Sequence, residues 1–479
     1  MSEIIRWLSC TVSRVTLVLL LSGATTSLSA AEPESPTTAL APIAIGNRLE
    51  LFVDDFLIEQ QQGMEHRVCQ PVADEVVLVC DQPWEGNTSA YFTILYDGSK
   101  YRAWYRGSHW DTEAKRATHP EVTCYAESED GLHWVKPELG LCEFAGSTRN
   151  NIVWDGIGTH CFTPFVDRNP DCDPAARFKA VSRGRPLGSK GLYVFQSPDG
   201  IHWKLMHDQP VITEGAFDSQ NLAFWDSHIG RYREYHRSFI GGVRSIVTGT
   251  SEDFLHWTDP VPLTYGGAPN EHLYTNAILP HPRAPHLLLG FPSRFFPDRG
   301  AQVEPLLMAS RDGTHFYRHQ QELIPVTAPQ ERAGNRSNYM TWGMVPVPGD
   351  DRHDAVYATE AYYEGPDNRV RRFLFERDRY ASIASDEQGE LLTRPVTFSG
   401  DELYLNCRIG DGGSLRVAVL SADGDVCPGF EAARCQPITG DHLTMRVNWG
   451  DAKLTSLSGQ VIRLQITAEH GELFGLQFR

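Results

Sequence analysis

The sequence predicts an all-β protein, a five-bladed β-propeller followed by a C-terminal β-sandwich. Three observations predict it. A heptapeptide recurs four times, as Ser128-Glu-Asp-Gly-Leu-His-Trp134, Ser197-Pro-Asp-Gly-Ile-His-Trp203, Ser251-Glu-Asp-Phe-Leu-His-Trp257 and Ser310-Arg-Asp-Gly-Thr-His-Phe316, with starts 69, 54 and 59 residues apart. Each copy follows apolar or aromatic runs of strand length, and long amphipathic helical patterns are absent, which favours four-stranded blades over helical solenoids. From about Gln388 the heptapeptide stops and short strand-like runs separated by Gly and Asp turns take over.

Residues 1–31 read as a secretory signal. Arg6 and Arg14 precede the apolar run Val15 to Leu21, and Ser29-Ala30-Ala31 offers small residues for cleavage. The expected location is therefore outside the cytoplasm, periplasmic or extracellular. The apolar run is too short to span a bilayer and no later stretch approaches about 20 apolar residues, so no membrane span is expected after removal of the signal.

The propeller is assigned to residues 32–387. Five strand pairs count its blades: Thr88 to Tyr96 with Tyr101 to Tyr105, Phe162 to Val166 with Arg177 to Ser182, Asn221 to Trp225 with Tyr232 to Arg237, Tyr274 to Leu279 with His286 to Phe291, and Tyr339 to Val347 with Ala355 to Tyr363. The early segment Leu49 to Ile58 has no blade of its own and is expected to close the ring, which removes an exposed sheet edge. The heptapeptide suits the turn between third and fourth strands: Ser and Asp bond nearby N–H groups, and Gly supplies positive φ. Its repeated Asp and His read as blade-building parts, since a residue that recurs in every blade marks the fold before it marks a site. Phe254 replaces Gly in the third copy, so that turn is expected to differ in detail. The sandwich is assigned to residues 388–479, from Leu403 to Ile409, Leu415 to Leu420, Thr444 to Trp449 and Val461 to Thr467.

A formal net charge of -18 without a basic run argues against a nucleic-acid partner. Removing Cys10 with the signal leaves nine cysteines and no CxxC pair. Cys427 with Cys435 and Cys161 with Cys172 are candidate disulfides, against the alternative of buried free thiols. No metal site or phosphate-cradling glycine loop is readable, nor a GxSxG elbow or HExxH motif, and no cofactor is called for.

The motifs resemble the five-bladed propeller glycoside hydrolases, families 32, 43, 68 and their relatives, and an uncharacterised group of exported bacterial proteins likened to family 32. The resemblance rests on Leu51-Phe-Val-Asp-Asp-Phe-Leu-Ile58, Thr163-Pro-Phe-Val-Asp-Arg-Asn-Pro170, Asp218-Ser-Gln-Asn221, the SxDGxHW turns, and Gly413-Ser-Leu-Arg-Val-Ala-Val-Leu420 with Gly429-Phe430. It covers nearly the whole mature chain and implies carbohydrate cleavage. Some relatives hold a structural Ca²⁺ near the axis, but no ligand set for one is readable here. Families 32 and 43 place Asp, Asp and Glu in the first three blades, whereas the first two blades here offer Glu85 and His160, so roles are not transferred one by one.

In a propeller the start of strand one and the end of strand two share a face, opposite the SxDGxHW turns and Asp97, Asp167 and Asp226. This places Glu85 with Asn87, His160, Asp218 with Asn221, Glu271 with His272, and Tyr339 on one face. Glu85, Asp218 and Glu271, with His160, are the candidate catalytic groups, because glycoside hydrolysis needs one protonated and one ionised group. The alternative is that individual carboxylates cap turns. Arg106, Arg183, Arg237 and Arg294, with Glu360 in the fifth blade, rim the same face and either bind anionic sugar groups or form inter-blade salt bridges. The aromatics Trp84, Tyr91, Trp110 and Tyr274 can stack on sugars or fill the core. The expected function is an exported glycoside hydrolase working through paired carboxylates. The alternatives are a non-catalytic glycan-binding propeller and, ranked lower, a sialidase-like enzyme, whose Asp-box turns run one residue longer.

Overall fold

The structure is a computed structural model that describes residues 41–326 and 338–479. The signal-like segment lies outside the described residues. Five antiparallel sheets form the propeller, and each blade is built from the inside outward. Blade 1 runs Ala90–Tyr96, Tyr101–Gly107, Val122–Ser128 and Trp134–Val135, with Ile152–Trp154 alongside. Blade 2 runs Thr163–Val166, Phe178–Arg183, Leu192–Ser197 and Lys204–Leu205; blade 3 runs Leu222–Asp226, Arg231–Ile240, Val243–Ser251 and Val261–Pro262. Blade 4 runs Leu279–His281, Ala284–Gly290, Gln302–Ser310 and Phe316–Glu322, and carries an added strand, Ser293–Phe296.

Blade 5 has three strands of its own, Val345–Val347, Asp350–Glu360 and Arg369–Glu376, and takes its fourth, Val72–Val79, from the other end of the chain. This accounts for four heptapeptides in five blades: the last outer strand is not reached by a turn. It also corrects the expected closure by Leu49 to Ile58. Within that segment Glu50–Leu51 pairs with the C-terminal strand Val461–Phe478, and Phe52 and Val53 are buried. At the inner edge the ring closes where Trp342 N–H donates to Phe92 O and Ile94 N–H to Trp342 O, both at 2.8 Å. Gly343 permits this approach, since a Cβ there would stand 1.8 Å from Ile94 O.

Of the remaining strands, Trp110–Asp111 and Arg116–Ala117 pair with each other, and the other nine make one sheet that folds over its own core as the β-sandwich. Its two longest strands, Leu403–Ser421 and Val461–Phe478, pair with register shifts at Asn406/Cys407 and Ile409/Ser414, where the sheet can bend. Leu405, Val417, Trp449, Leu464 and Phe478 lie in that core. The sheet also takes in Ile43–Gly46, Glu50–Leu51, Ile58–Gln62 and Glu65–Val68. A division at 387/388 therefore cuts through the strand Ala381–Thr393, and these N-terminal strands belong with the sandwich sheet rather than the propeller. Among the described residues no helix is long and apolar enough to cross a membrane. All nine described cysteines are free, so neither Cys161 with Cys172 nor Cys427 with Cys435 is bridged.

The heptapeptide turn is a closed hydrogen-bond unit. In blade 2, Ser197 Oγ accepts from the N–H groups of Asp199 and Gly200 at 3.3 and 2.9 Å. Asp199 Oδ1 accepts from Ile201 and His202 N–H at 2.9 and 2.8 Å, and Asp199 Oδ2 lies 2.7 Å from His202 Nδ1. Partial burial works to raise these carboxyls, but the bonds from His and backbone N–H outweigh it and hold Asp130, Asp199, Asp253 and Asp312 well below the usual carboxylate range. A depressed native pKa contributes stability that is complete above the unfolded value, near 3.9, and is lost as pH falls through the native value. Unfolding midpoints in denaturant are therefore expected to hold steady down to about pH 5 and drop below about pH 4, with Asp199→Asn flattening part of that drop.

The third copy keeps the same bonds, contrary to the expected difference. Phe254 adopts φ 69°, as Gly does in the other copies, and its N–H still donates to Ser251 Oγ at 2.9 Å. Its ring is fully buried against Phe165, Tyr232 and Trp257 at 5.5, 5.1 and 5.6 Å between centroids. Left-handed backbone costs a non-glycine residue about 1–2 kcal/mol, and burying the ring offsets it. Phe254→Gly is expected to destabilise the protein by about 2 kcal/mol despite relieving the backbone, because a lost core aromatic costs about 3–5 kcal/mol.

Candidate active site at the propeller axis

The starts of the inner strands converge on a narrow pit at the axis, walled by Tyr91, Gln220, Tyr274, Tyr339, Thr359 and Tyr362, with a cavity volume of about 20 Å³. Local backbone departures aim these rings. Tyr91 sits at φ 56° where the pairing with strand two shifts register between Ala90 and Thr93, and such a bulge re-aims a side chain. Asn338, Ala361 and Tyr363, at φ 67°, 65° and 62°, flank Tyr339 and Tyr362 in the same way. The rings of Tyr274 and Tyr339 lie 5.9 Å apart, and those of Tyr339 and Tyr362 5.7 Å apart. Burial pushes the Tyr91 and Tyr362 phenols above their ordinary range, so both keep a proton to donate.

Beside the pit a charged array crosses three blades. His160 Nδ1 lies 2.9 Å from both carboxylate oxygens of Glu121, and its Nε2 lies 2.8 Å from Asp218 Oδ1. Arg106 Nη1 lies 3.3 and 3.4 Å from the same two ring nitrogens. Burial works to raise the Glu121 carboxyl, but the His160 bond and the Arg106 charge hold it down at about 2. The His160 bond is the largest influence on Asp218 and, with the charges of Arg183 and Arg237, holds its carboxyl well below the usual range against partial burial. Arg183 reaches Asp218 at 2.9 Å. Arg106, buried, donates to Thr88 O at 2.7 Å and Tyr362 Oη at 3.0 Å, and lies 4.9 Å from the centre of the Tyr91 ring.

Of the residues expected from sequence, the structure brings together His160, Asp218, Arg106, Arg183, Arg237, Tyr274 and Tyr339. Others are engaged elsewhere. Glu85 is enclosed, bonded to Tyr105 Oη at 2.5 Å and Lys136 Nζ at 2.6 Å. Glu271 pairs with Arg318 at 2.9 Å and Arg294 at 3.6 Å, so of the expected trio Glu85, Asp218 and Glu271 only Asp218 bonds His160. Arg294 lies in the added strand of blade 4, paired with Glu304 at 2.7 Å. Glu360 is buried between Arg371 and Arg369 at 2.6 and 2.8 Å. Asn87 pins the backbone of Trp110, and Asn221 that of Phe217 and Ser219. His272 Nδ1 accepts from Arg244 N–H at 3.1 Å. The turn carboxylates Asp97, Asp167 and Asp226 bond Arg102, Lys179 and Arg233, as structural parts do.

Glu121 and Tyr362 were missed. Glu121 immediately precedes the third strand of blade 1. Strand three runs parallel to strand one, so third-strand starts share the site face, and including them would have found it. Tyr362 stands two residues beyond the second strand of blade 5, where Glu360 had been chosen. Among the described residues no group of three or more His, Cys, Asp and Glu side chains is placed to hold a metal ion.

No protein-family model and no curated protein matches the chain. Among solved structures it is similar to an N-acetylgalactosamine deacetylase from F. plautii in complex with blood group B trisaccharide, at 12% identity and a TM-score of 0.46 over 67% of this chain and 97% of that one. A thermostable family-43 glycoside hydrolase is similar at 14% identity and a TM-score of 0.42, over 62% of this chain and 94% of that one. The Bombyx mori family-32 β-fructofuranosidase is similar at 10% identity and a TM-score of 0.41, over 86% of this chain and 94% of that one.

Proposed function

We propose that this protein is an exported glycoside hydrolase that cleaves an oligo- or polysaccharide at the propeller axis, with His160 as proton donor and Asp218 as ionised carboxylate. The observation that carries the reading is the Glu121, His160 and Asp218 array beside a tyrosine-walled pit. Hydrolysis needs a proton for the leaving oxygen and an ionised carboxylate acting on the anomeric carbon or on the attacking water. Glu121 stays ionised and fixes Nδ1, which leaves Nε2 to present the proton, the division of labour in a carboxylate-oriented histidine. The Asp218 side chain is 59% exposed, so it can rotate off Nε2 when a glycosidic oxygen takes its place, staying near Arg183. The tyrosine rings offer stacking faces to a sugar.

Non-catalytic glycan binding is the second reading, and the engagement of Asp218 by both His160 and Arg183 favours it. Release of reducing ends from neutral, sulfated and uronate oligosaccharides, compared between the wild type and His160→Asn, separates the two. Turnover lost in the variant supports the hydrolase; binding without turnover by both supports the binding protein.

A further inference from the structure

The second and third strands of blade 3 extend beyond its inner strand. Leu222 at the start of the inner strand pairs with Tyr235, and the hairpin continues to Ile240 and Val243, closed by Gly241 and Gly242 at φ 58° and 82°, a two-residue turn of the kind that suits tight hairpins. In this extension Arg237 pairs with Ile246 and Phe239 with Arg244. Arg237 and Phe239 are two apart and Arg244 is directly opposite Phe239, so all three side chains fall on one face.

That face turns toward the axial pit. The Arg237 guanidinium lies 4.8 Å from the centre of the Tyr274 ring and 5.6 Å from that of Phe239. The Arg244 guanidinium lies 5.7 Å from the Tyr274 ring, 5.4 Å from Phe239 and 4.6 Å from Phe295. Two cations therefore stand over one tyrosine of the pit wall. Their neighbours are neutralised: Arg106 by Glu121, Arg183 by Asp218, Arg294 by Glu304. Among the described residues no carboxylate lies within ion-pair distance of Arg237 or Arg244. Arg237 Nε donates to Ala216 O at 3.1 Å. Arg244 Nε is buried without a partner, and the Arg244 head is otherwise left with a 3.5 Å contact to a His272 nitrogen that already accepts its backbone N–H. A buried donor left unpaired is costly, and two adjacent guanidiniums repel, the Asp218 charge acting on Arg237 only from beyond ion-pair distance. Both costs are relieved by one oxyanion held between the forks.

Building on the carbohydrate reading of the axis, we infer that Arg237 and Arg244 form an oxyanion subsite for a uronate carboxylate or sulfate group on the sugar unit beside the one at Asp218. Phe239, 50% exposed at the hairpin tip, gives that unit an apolar face.

The test is calorimetric titration of the mature protein with three tetrasaccharides: a galacturonate oligomer, a sulfated heparin-derived oligomer and neutral maltotetraose. At least one anionic tetrasaccharide binds the wild type tenfold or more tighter than the neutral one, and the stronger of the two tells carboxylate from sulfate. Arg237→Gln/Arg244→Gln removes that preference, with anionic affinity falling at least about tenfold and neutral affinity unchanged. Arg294→Gln, outside the subsite, changes none of the three. If the double variant does not fold, Arg244→Lys, which keeps the charge and loses the fork, weakens the anionic ligand alone. Equal weakening of anionic and neutral ligands, or no change in the double variant, overturns the subsite. Binding of the neutral tetrasaccharide alone also overturns it and leaves the axial reading standing. Failure of all three to bind removes both.

Discussion

His160→Asn is expected to lower kcat/KM for glycosidic cleavage by about 10³-fold, within the range that a positioned general acid supplies. The asparagine amide takes the place of Nδ1, so the contact with Glu121 survives while Nε2, and with it the transferable proton facing Asp218, is lost. Asp218→Asn should cause a loss of similar size, because the amide neither attacks nor activates water. The two changes are expected to be far from additive, the double variant being little worse than either single one, as for groups that act as a unit. Glu121 acts through His160 and is a positioning residue. Glu121→Gln is therefore expected to lower kcat with KM nearly unchanged and to shift the pH profile, readouts that a merely structural role would not move.

The second large effect is on stability. Glu85 is fully enclosed, and its charge is met by Lys136 Nζ, Tyr105 Oη and Gln82 N–H at 2.6, 2.5 and 3.1 Å. Burial opposes the charge on Lys136, but the Glu85 carboxylate prevails and raises the lysine above its ordinary value. Lys136→Ala leaves a buried carboxylate without its counter-charge, and removing one partner of such a pair costs about 3–5 kcal/mol. The loss is expected as a lowered midpoint in chemical denaturation. Lys136→Met with Glu85→Gln, which removes both charges and keeps volume, should recover most of it. Activity at the axis is expected to survive in that double variant, since the bonds of Glu85 go to Gln82, Tyr105 and Lys136 and none goes to His160 or Asp218.

What the sequence made legible follows the range of the interactions involved. The SxDGxHW turn closes on itself through bonds that span two or three residues, so residue type and spacing nearly determine it. The blade count came from the five strand pairs, since the turn occurs only four times. The starts of the inner strands pointed to His160, Asp218, Tyr274 and Tyr339, which lie together at the axis, because strand direction alone decides which face they reach. Glu85 and Glu271 look identical to Asp218 in sequence, and each of the three meets a cation distant in the chain, Lys136, Arg318 and Arg183; what separates Asp218 is its exposure and its contact with His160. The closing strand Val72–Val79 was overlooked for a related reason. As an outer strand it is only partly buried, with Val72 69% exposed, so it lacks the dense apolar run that marked Leu49 to Ile58. That earlier run is apolar because it packs on both sides, Leu51 and Val53 into the propeller core and Phe52 and Leu57 into the sandwich core.

Reducing-end release from neutral, sulfated and uronate oligosaccharides by the mature wild type, His160→Asn and Asp218→Asn tests the assignment of the axis most directly. Cleavage by the wild type that falls about 10³-fold in both variants is the predicted result. Cleavage that persists undiminished in both, or a wild type that binds the oligosaccharides and releases no reducing ends, would contradict it.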